Sequence, residues 1–295
     1  MPGNMDTNPI LKNFSRRNSV SSSAESNNSE IIANPDFRIT MMLETSDYLN
    51  RLEANQFSIF TQKFHKSISK TLKHFEGSVL KKNDNTYLVQ FTSATNAVLC
   101  ALKIQSDFKY ITPKLEGRTR RLHIGISTGI STSKNYITGN EKATPVFWMC
   151  EEVPDQLVIT SDVKVLYEKE NRNAVIDREH IRTLSPREEL FLTRIMEFSD
   201  KSWKTSDFSI NGLCVVLELS RSQLYRKLKK LTGKSPNAFI REIRLKKALE
   251  LLHNQSGNVS EIARTTGFKS PAYFTKCFTT KFGILPSRYT KQHIY

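Results

Sequence analysis

The stretch "INGLCVVLELSRSQLYRKLKKLTGKSPNAF" (Ile210–Phe239) returns with substitutions as "VSEIARTTGFKSPAYFTKCFTTKFGILPSRY" (Val259–Tyr289). Its first apolar positions recur 49 residues later, where Ile210, Leu213, Cys214 and Leu219 correspond to Val259, Ile262, Ala263 and Phe268. Its later positions recur 50 residues later, where Leu224, Leu228, Gly233, Pro236 and Phe239 correspond to Phe274, Phe278, Gly283, Pro286 and Tyr289. One extra residue therefore lies between the turn and the second helix of the second copy. A repeated pair of short helices is typical of a tandem helix-turn-helix module that contacts DNA twice.

The second helix of the first copy is the first candidate recognition helix. Ser220 is its predicted N-cap, and the helix runs from Arg221 to about Thr232 and ends at Gly233. Leucines recur at helical spacing along one side, which predicts that this side is buried. The opposite, solvent-facing side carries Arg221, Ser222, Tyr225, Arg226 and Lys229.

The second copy has a matching helix, preceded by a predicted turn at Thr266-Gly267-Phe268 in which Gly267 takes the left-handed conformation. This helix begins at about Pro271 and buries Phe274 and Phe278. It presents Ala272, Thr275 and Lys276 outward. Compared with the first copy, it is poor in long polar side chains.

A long helix is predicted between the two copies. Ser235 caps it, Pro236 occupies its first turn, and it runs to about Leu252, which gives roughly 25 Å of rigid rod. Recognition helices reach successive major grooves on one face of DNA when they are held roughly 34 Å apart. Further cations on and around this helix are candidate phosphate contacts or plain helix surface: Lys227, Lys230, Lys234, Arg241, Arg244, Lys246 and Lys247.

The charge of the chain is concentrated in this C-terminal part. Residues 201–295 hold 18 Lys and Arg against 5 Asp and Glu, whereas residues 1–200 hold 26 against 24. Such asymmetry favours a polyanion as partner over a merely solubilising surface. The partner that the charge and the paired helices together predict is double-stranded DNA.

Several other classes of protein are disfavoured by composition. The four cysteines (Cys100, Cys150, Cys214 and Cys277) are far apart, and three of them, Cys100, Cys214 and Cys277, fall at apolar helix positions, so we expect buried free thiols rather than disulfides or metal ligands. The histidines show no ligand spacing. There is no apolar run of transmembrane length and no signal-peptide core, so we expect a cytoplasmic protein without a membrane partner.

The N-terminal half alternates strands and helices in a definite order. Apolar periodicity predicts a strand at Phe37–Leu43, a helix through Phe60 and Phe64, a hairpin of Ser78–Lys82 with Thr86–Phe91, a helix through Ala97 and Phe108, and a strand at Leu122–Thr128. This is the split βαβ plan of ferredoxin-like folds. The apolar segment Val146–Met149 is predicted to be a core helix, with a partner surface as the alternative.

The repeat carries a resemblance to a known family. The runs "RSQLYRKLKKLTGKSPNAFIREIRLKKALELL" (Arg221–Leu252) and Val259–Tyr289 resemble the DNA-binding domain of AraC/XylS-type bacterial transcription regulators, and "LSPREELFLTRIMEF" (Leu184–Phe198) is similar to the form fused to sensors in Bacteroidetes-type bacteria. The resemblance implies base contacts at Ser222, Tyr225 and Arg226 in the first copy, and at Pro271, Ala272, Thr275 and Lys276 in the second.

These implied contacts differ in chemistry. A guanidinium at Arg226 can pair with guanine in bidentate fashion or clamp a phosphate, whereas the alternative is a solvated surface charge. Tyr225 is equally compatible with half-buried packing. Pro271 and Ala272 offer only apolar contact, for instance to a thymine methyl group, so the second copy is expected to supply mainly affinity.

A second resemblance concerns the N-terminal half. The runs "KHFEGSVLKKNDNTYLVQFTSATNAVLCALKIQ" (Lys73–Gln105) and "RRLHIGISTG" (Arg120–Gly129) resemble the catalytic domain of class III adenylate/guanylate cyclases. That family uses two aspartates to hold two metal ions. Here Asp84 matches the aspartate of the hairpin, and Glu44 stands at the position of the first-strand aspartate. The family also has an Asn and an Arg on a later helix, which orient the ribose and stabilise the transition state. These two residues have no counterpart in Pro145–Val153. Two-metal catalysis without a full carboxylate pair or cationic clamp is implausible.

We therefore predict an α+β N-terminal domain, ferredoxin-like and nucleotide-cyclase-like, followed by an all-α domain with two helix-turn-helix units. The predicted bounds are a disordered Ser/Asn-rich tail (1–35), a degenerate cyclase-like sensor or dimerisation domain (36–168), a linker (169–187) and the DNA-binding domain (188–295). The predicted function is that of a non-enzymatic transcription regulator; the alternative is a DNA-tethered cyclase. No cofactor is predicted, and Glu44 and Asp84 are weak metal candidates. A homodimer is expected, while RNA polymerase and a small-molecule or nucleotide ligand stay open as further partners.

Overall fold

The computed structural model describes residues 37–45, 54–83, 85–111, 121–130, 145–154, 157–172, 176 and 179–292 of the 295-residue chain. The described residues divide into two compact units between Thr193 and Arg194. We call the residues up to Thr193 the first unit and those from Arg194 onward the second unit. The predicted tail (1–35) lies outside the described residues.

The first unit is built on a six-stranded mixed sheet. Its strands are β1 (Phe37–Thr45), β2 (Ser78–Lys82), β3 (Thr86–Phe91), β4 (Leu122–Ile130), β5 (Leu157–Ile159) and β6 (Arg182–Thr183). Its helices are α1 (Ala54–His74), α2 (Ala94–Ile111), α3 (Pro145–Glu152) and α4 (Ser161–Glu170). The sheet order is β2-β3-β1-β4-β5-β6, with β1 antiparallel to β3 and β4, and β4, β5 and β6 parallel. The first four strands and two helices confirm the predicted ferredoxin-like plan.

Strand alternation decides which face of the sheet is the main core. Ile39, Met41 and Leu43 on β1 are each at most 1% exposed and pack with the apolar sides of α1 and α2. On α1, Phe60 and Phe64 belong to the same core, as their helical spacing predicted.

Helix α3 covers part of the other face of the sheet. Val146, Trp148 and Met149 are each at most 2% exposed, so the prediction of a core helix over Val146–Met149 is confirmed. A Cβ atom on Gly125 of β4 would lie 2.8 Å from the Val146 carbonyl oxygen. Only glycine therefore permits this close approach of helix to sheet.

The stretch predicted as a linker (169–187) contributes to the sheet. β6 pairs with β5, and the Leu184 N–H donates to the Ile159 carbonyl at 2.9 Å. Its two residues are too short a run for hydrophobic alternation to reveal a strand. The bounds of the linker remain a prediction, although Arg182 and Thr183, two of its residues, belong to the sheet of the first unit.

Helix α5 (Pro186–Ser202) begins in the first unit and contains the division between the two units. Near the start of α5, the Glu189 carboxylate accepts hydrogen bonds from the backbone N–H and the hydroxyl of Ser161, at 2.8 and 2.9 Å. It thereby satisfies an N–H group at the N-terminal end of α4 that has no partner within that helix. Burial raises the pKa of Glu189, and these two hydrogen bonds oppose that rise. The contact secures the beginning of α5 to the first unit.

The second unit continues with helices alone among its described residues. They are α6 (Ile210–Leu217), α7 (Arg221–Thr232), α8 (Pro236–His253), α9 (Val259–Thr265), α10 (Pro271–Phe282) and α11 (Pro286–Gln292). Apolar side chains from all parts of the repeat fill its core, including Leu224 and Leu228 on α7 and Phe274 and Phe278 on α10, each of which is fully buried. The predicted all-α domain with two helix-turn-helix units is thereby confirmed.

The thiols follow the prediction only in part. All four are free, and Cys100 and Cys150 are buried; burial raises the pKa of Cys100 to about 12. Cys214 and Cys277 are only half-buried, so the prediction that they are buried was wrong. Their helix positions lie at the edge of the apolar side and not at its centre, a difference that spacing alone does not resolve.

Candidate nucleic-acid interface

The first copy of the repeat consists of α6 and α7. Ser209 caps α6, whose C-terminal cap Glu218 adopts the left-handed conformation at φ 55°. Ser220 then caps α7 in a reciprocal box: its hydroxyl accepts from the Gln223 N–H, and its own N–H donates to the Gln223 side chain at 2.9 Å. Gly233, at φ 72°, ends α7 as predicted. These caps fix the residues at which α6 and α7 begin and end.

The predicted contact residues of α7 all lie on its exposed side. The Arg226 side chain makes no hydrogen bond or ion pair with any described residue, and the Tyr225 ring is 49% exposed. Arg226 and Tyr225 are thus both presented to solvent on one face of the helix. The arrangement leaves the Arg226 guanidinium available for a partner in a groove.

Three other predicted contacts of α7 take part in local hydrogen bonds. Arg221 Nη2 donates to Asn211 Oδ1 at 2.8 Å, which links α7 to the supporting helix α6. The Ser222 hydroxyl lies 3.1 Å from that of Ser220. Lys229 Nζ donates to the Gly233 carbonyl at 2.8 Å, where a cation also complements the C-terminal end of the helix dipole. All three bonds are exposed and can be exchanged for contacts with a phosphate.

The second copy consists of α9 and α10. Its turn residue Gly267 has φ 81°, as predicted, and Ser270 caps α10 with Pro271 in the first turn. The left-handed residues Glu218 and Gly267 are 49 positions apart, whereas the capping serines Ser220 and Ser270 are 50 apart. The extra residue of the second copy therefore lies between the turn and the cap, where the exposed Lys269 stands.

The exposed side of α10 differs from that of α7. Pro271, Ala272 and Lys276 are exposed, while Thr275 is half-buried. Lys276 makes no side-chain hydrogen bond or ion pair among the described residues. The positions of Arg226 and Lys276 correspond, because they lie 50 residues apart on equivalent helices.

Tyr273 is a candidate contact that sequence reasoning missed. Its side chain is 50% exposed, and its ring lies 6.2 Å from that of Phe268. The sequence does contain a signal for the exposure of Tyr273. Phe274 and Phe278 define the buried side of the helix by their spacing, and Tyr273 does not belong to that side. A half-exposed phenol beside a helix N-terminus can donate a hydrogen bond to a phosphate or pack against a sugar.

Helix α8 connects the two copies. Its 18 residues span about 27 Å, and it is buried along more than one side through Phe239, Ile243, Leu245 and Ala248. A helix packed in this way cannot bend freely, so it is a stiff connection between the two copies.

Three of the candidate phosphate contacts are occupied inside the second unit. Lys234 pairs with Glu242 at 2.9 Å, and Lys247 pairs with Asp200 at 3.2 Å. Arg244 donates to two backbone carbonyls. Of the remaining candidates, Arg241 is exposed and makes no side-chain bond with a described residue.

A groove of about 320 Å³ lies between α8 and α10. Its walls include the apolar Ala238 and Leu245, and Lys276 belongs both to the groove and to the exposed side of α10. The further residues that line it are Arg241, Glu242, Tyr273, Cys277, Thr280 and Lys281. The exposed Lys276 and Arg241 extend the positive surface of α10 toward α8, whereas Lys281 pairs with Glu242.

The weak metal candidates of the first unit do not form a described site. Glu44 is half-buried on β1, opposite Thr86 of β3 and His123 of β4, whereas Asp84 lies outside the described residues. Burial, with a further contribution from the nearby Glu44 charge, raises the pKa of Cys150 well above its usual value. Within the described ranges, no group of three or more His, Cys, Asp or Glu side chains is placed to hold a metal ion.

The C-terminal sequence matches a helix-turn-helix family model and parts of known regulatory proteins. Residues 213–292 match a family model described as a helix-turn-helix domain. The chain is 38% identical over 111 residues to histidine kinase P4 of Formosa agariphila, a match that covers 38% of this chain and 8% of that protein. It is 35% identical over 86 residues to the HTH-type transcriptional regulator MtrA of Neisseria gonorrhoeae, covering 29% of each. The chain thus spans less than a third of either relative, and the resemblance to AraC/XylS regulators is confirmed for the C-terminal part.

Solved structures similar to the chain fall into two groups. The first group includes a transcriptional regulator with an AraC-type DNA-binding domain from Chromobacterium violaceum, which is 25% identical in sequence with a TM-score of 0.34. The match covers 36% of this chain and 94% of that chain. The second group, for the N-terminal part, includes the guanylyl cyclase Cya2, at 16% identity and a TM-score of 0.29, covering 32% of this chain and 54% of that chain. In the part of the chain that the structure describes, none of the helices has the length and apolar character to cross a membrane.

Proposed function

We propose that this protein is a sequence-specific DNA-binding transcription regulator in which α7 and α10 enter successive major grooves of one operator. The observation that carries the proposal is the pair of capped, solvent-exposed recognition helices joined by the buried rod α8. The excess of cations over residues 201–295 supports a phosphate partner. As a regulator of chromosomal DNA, it would act in the bacterial cytoplasm.

The two copies divide the work in this proposal. The first copy contacts bases, centred on Arg226, with Ser222 and Tyr225 beside it. Arg221 and Lys229 bind the flanking phosphates. The second copy supplies mainly affinity through Lys276 and the neighbouring exposed residues, since Pro271, Ala272 and the half-buried Thr275 offer short or apolar side chains.

The first unit is proposed to act as a ligand-sensing or dimerising domain without catalysis. Its cyclase-like sequence has no counterpart of the family's Asn and Arg in Pro145–Val153, where helix α3 instead buries Val146, Trp148 and Met149. Dimerisation would place two DNA-binding units on one promoter, where contact with RNA polymerase becomes accessible. Incubation of the full chain with ATP or GTP and Mg²⁺ or Mn²⁺ tests this role, because accumulation of cyclic nucleotide that Asp84→Ala abolishes would favour the tethered cyclase instead.

Replacement of Arg226 tests the function most simply. We expect Arg226→Ala to weaken binding of the full chain to its selected operator by about 1–3 kcal/mol and to relax the base preference at one position. Binding is measured by fluorescence anisotropy with a duplex enriched from a random pool by the wild-type chain. Arg187→Ala, which removes an exposed arginine from the first unit, is the matched control and is expected to leave affinity unchanged. If wild type and Arg226→Ala bound every duplex with equal affinity, Arg226 would not be a base contact.

A further inference from the structure

Glu242 on α8 joins the two copies of the repeat through one carboxylate. One of its oxygens lies 2.9 Å from Nζ of Lys234, the residue that directly follows the end of α7 at Gly233. Its other oxygen accepts from Nζ of Lys281, near the C-terminal end of α10. A single side chain of α8 thus contacts the residue that follows the end of α7 and a residue near the C-terminal end of α10.

This three-residue cluster is largely withdrawn from water. The side chains of Lys234, Glu242 and Lys281 are 21%, 23% and 28% exposed. Burial alone would raise the pKa of Glu242, but Lys234, Lys281 and Lys246 outweigh it and lower the pKa to about 2. Burial lowers the pKa of Lys281, and the negative charge of Glu242 opposes this lowering. Glu242 is therefore a charged group at neutral pH whose partners are fixed in direction as well as in distance.

Arg244, two residues further along α8, makes a second connection of the same kind. Its guanidinium donates to the Phe208 carbonyl at 3.2 Å, just before α6, and to the Gly267 carbonyl at 3.1 Å, in the turn of the second copy. It also lies 5.9 Å from the centre of the Phe208 ring. Glu242 thus connects α8 to both copies, and Arg244 connects α8 to the segment just before the first copy and to the second copy.

We propose that Glu242 is a positioning residue that sets the spacing and angle between α7 and α10, and thereby the half-site spacing that the protein accepts. The inference rests on the proposed function, because it presupposes that both helices contact one DNA molecule. Apolar packing along α8 is non-directional and permits a helix to slide or roll by small amounts. Ion pairs from one carboxylate to both copies restrict such movement.

The expected consequence concerns the linkage between two binding events. Once α7 is bound, α10 meets its half-site at an effective concentration that depends on how well the two helices are held in register. Loss of the Glu242 pairs lowers this concentration at the preferred spacing and raises the tolerance for other spacings. Binding of either copy to an isolated half-site is left unchanged.

Glu242→Gln in the full chain tests the inference. The probe is the duplex that wild type enriches from a random pool, together with versions whose half-sites are moved by one or two base pairs in either direction, and single half-site duplexes. Glu250→Gln is the matched control, since Glu250 pairs with Lys247 on the same helix. Lys281→Gln and Lys234→Gln each break one of the two pairs, and they keep the test available if Glu242→Gln does not fold, as judged by circular dichroism.

We expect wild type and Glu250→Gln to prefer one spacing by about tenfold or more, and Glu242→Gln to lose most of that preference. Lys281→Gln and Lys234→Gln are expected to do the same, with unchanged half-site affinity. An equal loss of affinity at every spacing, which lower stability alone would produce, or an unchanged spacing profile, overturns the inference. Failure of wild type to enrich a two-part motif would instead contradict the proposed function.

Discussion

Arg226 and Lys276 hold equivalent positions in the two recognition helices, and both side chains are exposed without a partner among the described residues. Other cations of the second unit are committed elsewhere, such as Lys234 and Lys247 in ion pairs and Arg244 on backbone carbonyls. At the scale of single residues, the positive charge therefore separates into a part that faces outward and a part that holds the helices together. Only the outward part is expected to contribute to the affinity for DNA.

Glu242 makes the stability of the cluster of Lys234, Glu242 and Lys281 depend on pH. Because its pKa in the folded protein is about 2, below the usual 4.5, the unfolded chain binds the proton first as the pH falls. The stabilisation by the cluster, on the order of 1–3 kcal/mol, is therefore present above about pH 5 and is lost as the pH falls toward 2. The difference in thermal unfolding midpoint between wild type and Glu242→Gln should be largest at pH 7 and should shrink steadily as the pH falls from about 5 toward 2. A difference in midpoint that does not change with pH would contradict this account.

Equivalent turns in the two copies show how one element tolerates different residues. Glu218 and Gly267 both occupy the left-handed region, at φ 55° and 81°. A side chain in this region is strained, whereas glycine is not. In the second copy a Cβ atom would also lie 2.8 Å from Cζ of Arg244, which is held in place by its two hydrogen bonds.

Exchanges at these two turns are expected to have opposite effects. Glu218→Gly relieves strain and should raise stability by about 0.5–1 kcal/mol, at the loss of an exposed pair with Arg194 of little value. Gly267→Ala introduces strain and displaces Arg244, and should lower stability by more than about 1 kcal/mol. Denaturant unfolding, followed by the fluorescence of Trp203 in the second unit of full chains that carry Trp148→Phe, measures both. Equal effects of the two changes would argue against the described turn geometry.

The elements were predictable from sequence wherever their signal is local. The hairpin of Ser78–Lys82 with Thr86–Phe91, the cap Ser220 and the terminating Gly233 all depend on residues within one or two turns of chain, and the structure has them where the sequence predicts. Contacts between distant residues were not predictable. Lys281 and Glu242 are 39 positions apart, and no periodicity reveals that their side chains meet.

For the molecule as a whole, the uneven charge predicts a strong dependence of DNA binding on salt. If about six phosphates are neutralised, the logarithm of the binding constant should fall with the logarithm of the salt concentration at a slope of roughly −5. Titrations of the full chain and its operator between about 50 and 300 mM KCl give this slope. A slope near zero would exclude a phosphate-dominated interface.

If two helices of one chain contact two adjacent major grooves, the full chain should select a two-part sequence from a random pool of duplexes. We expect two enriched blocks whose centres lie one helical turn, about 10 base pairs, apart. The block that loses its base preference in Arg226→Ala would identify the half-site of α7. A single enriched block, or enrichment without any shared motif, would show that α7 and α10 do not contact adjacent grooves together.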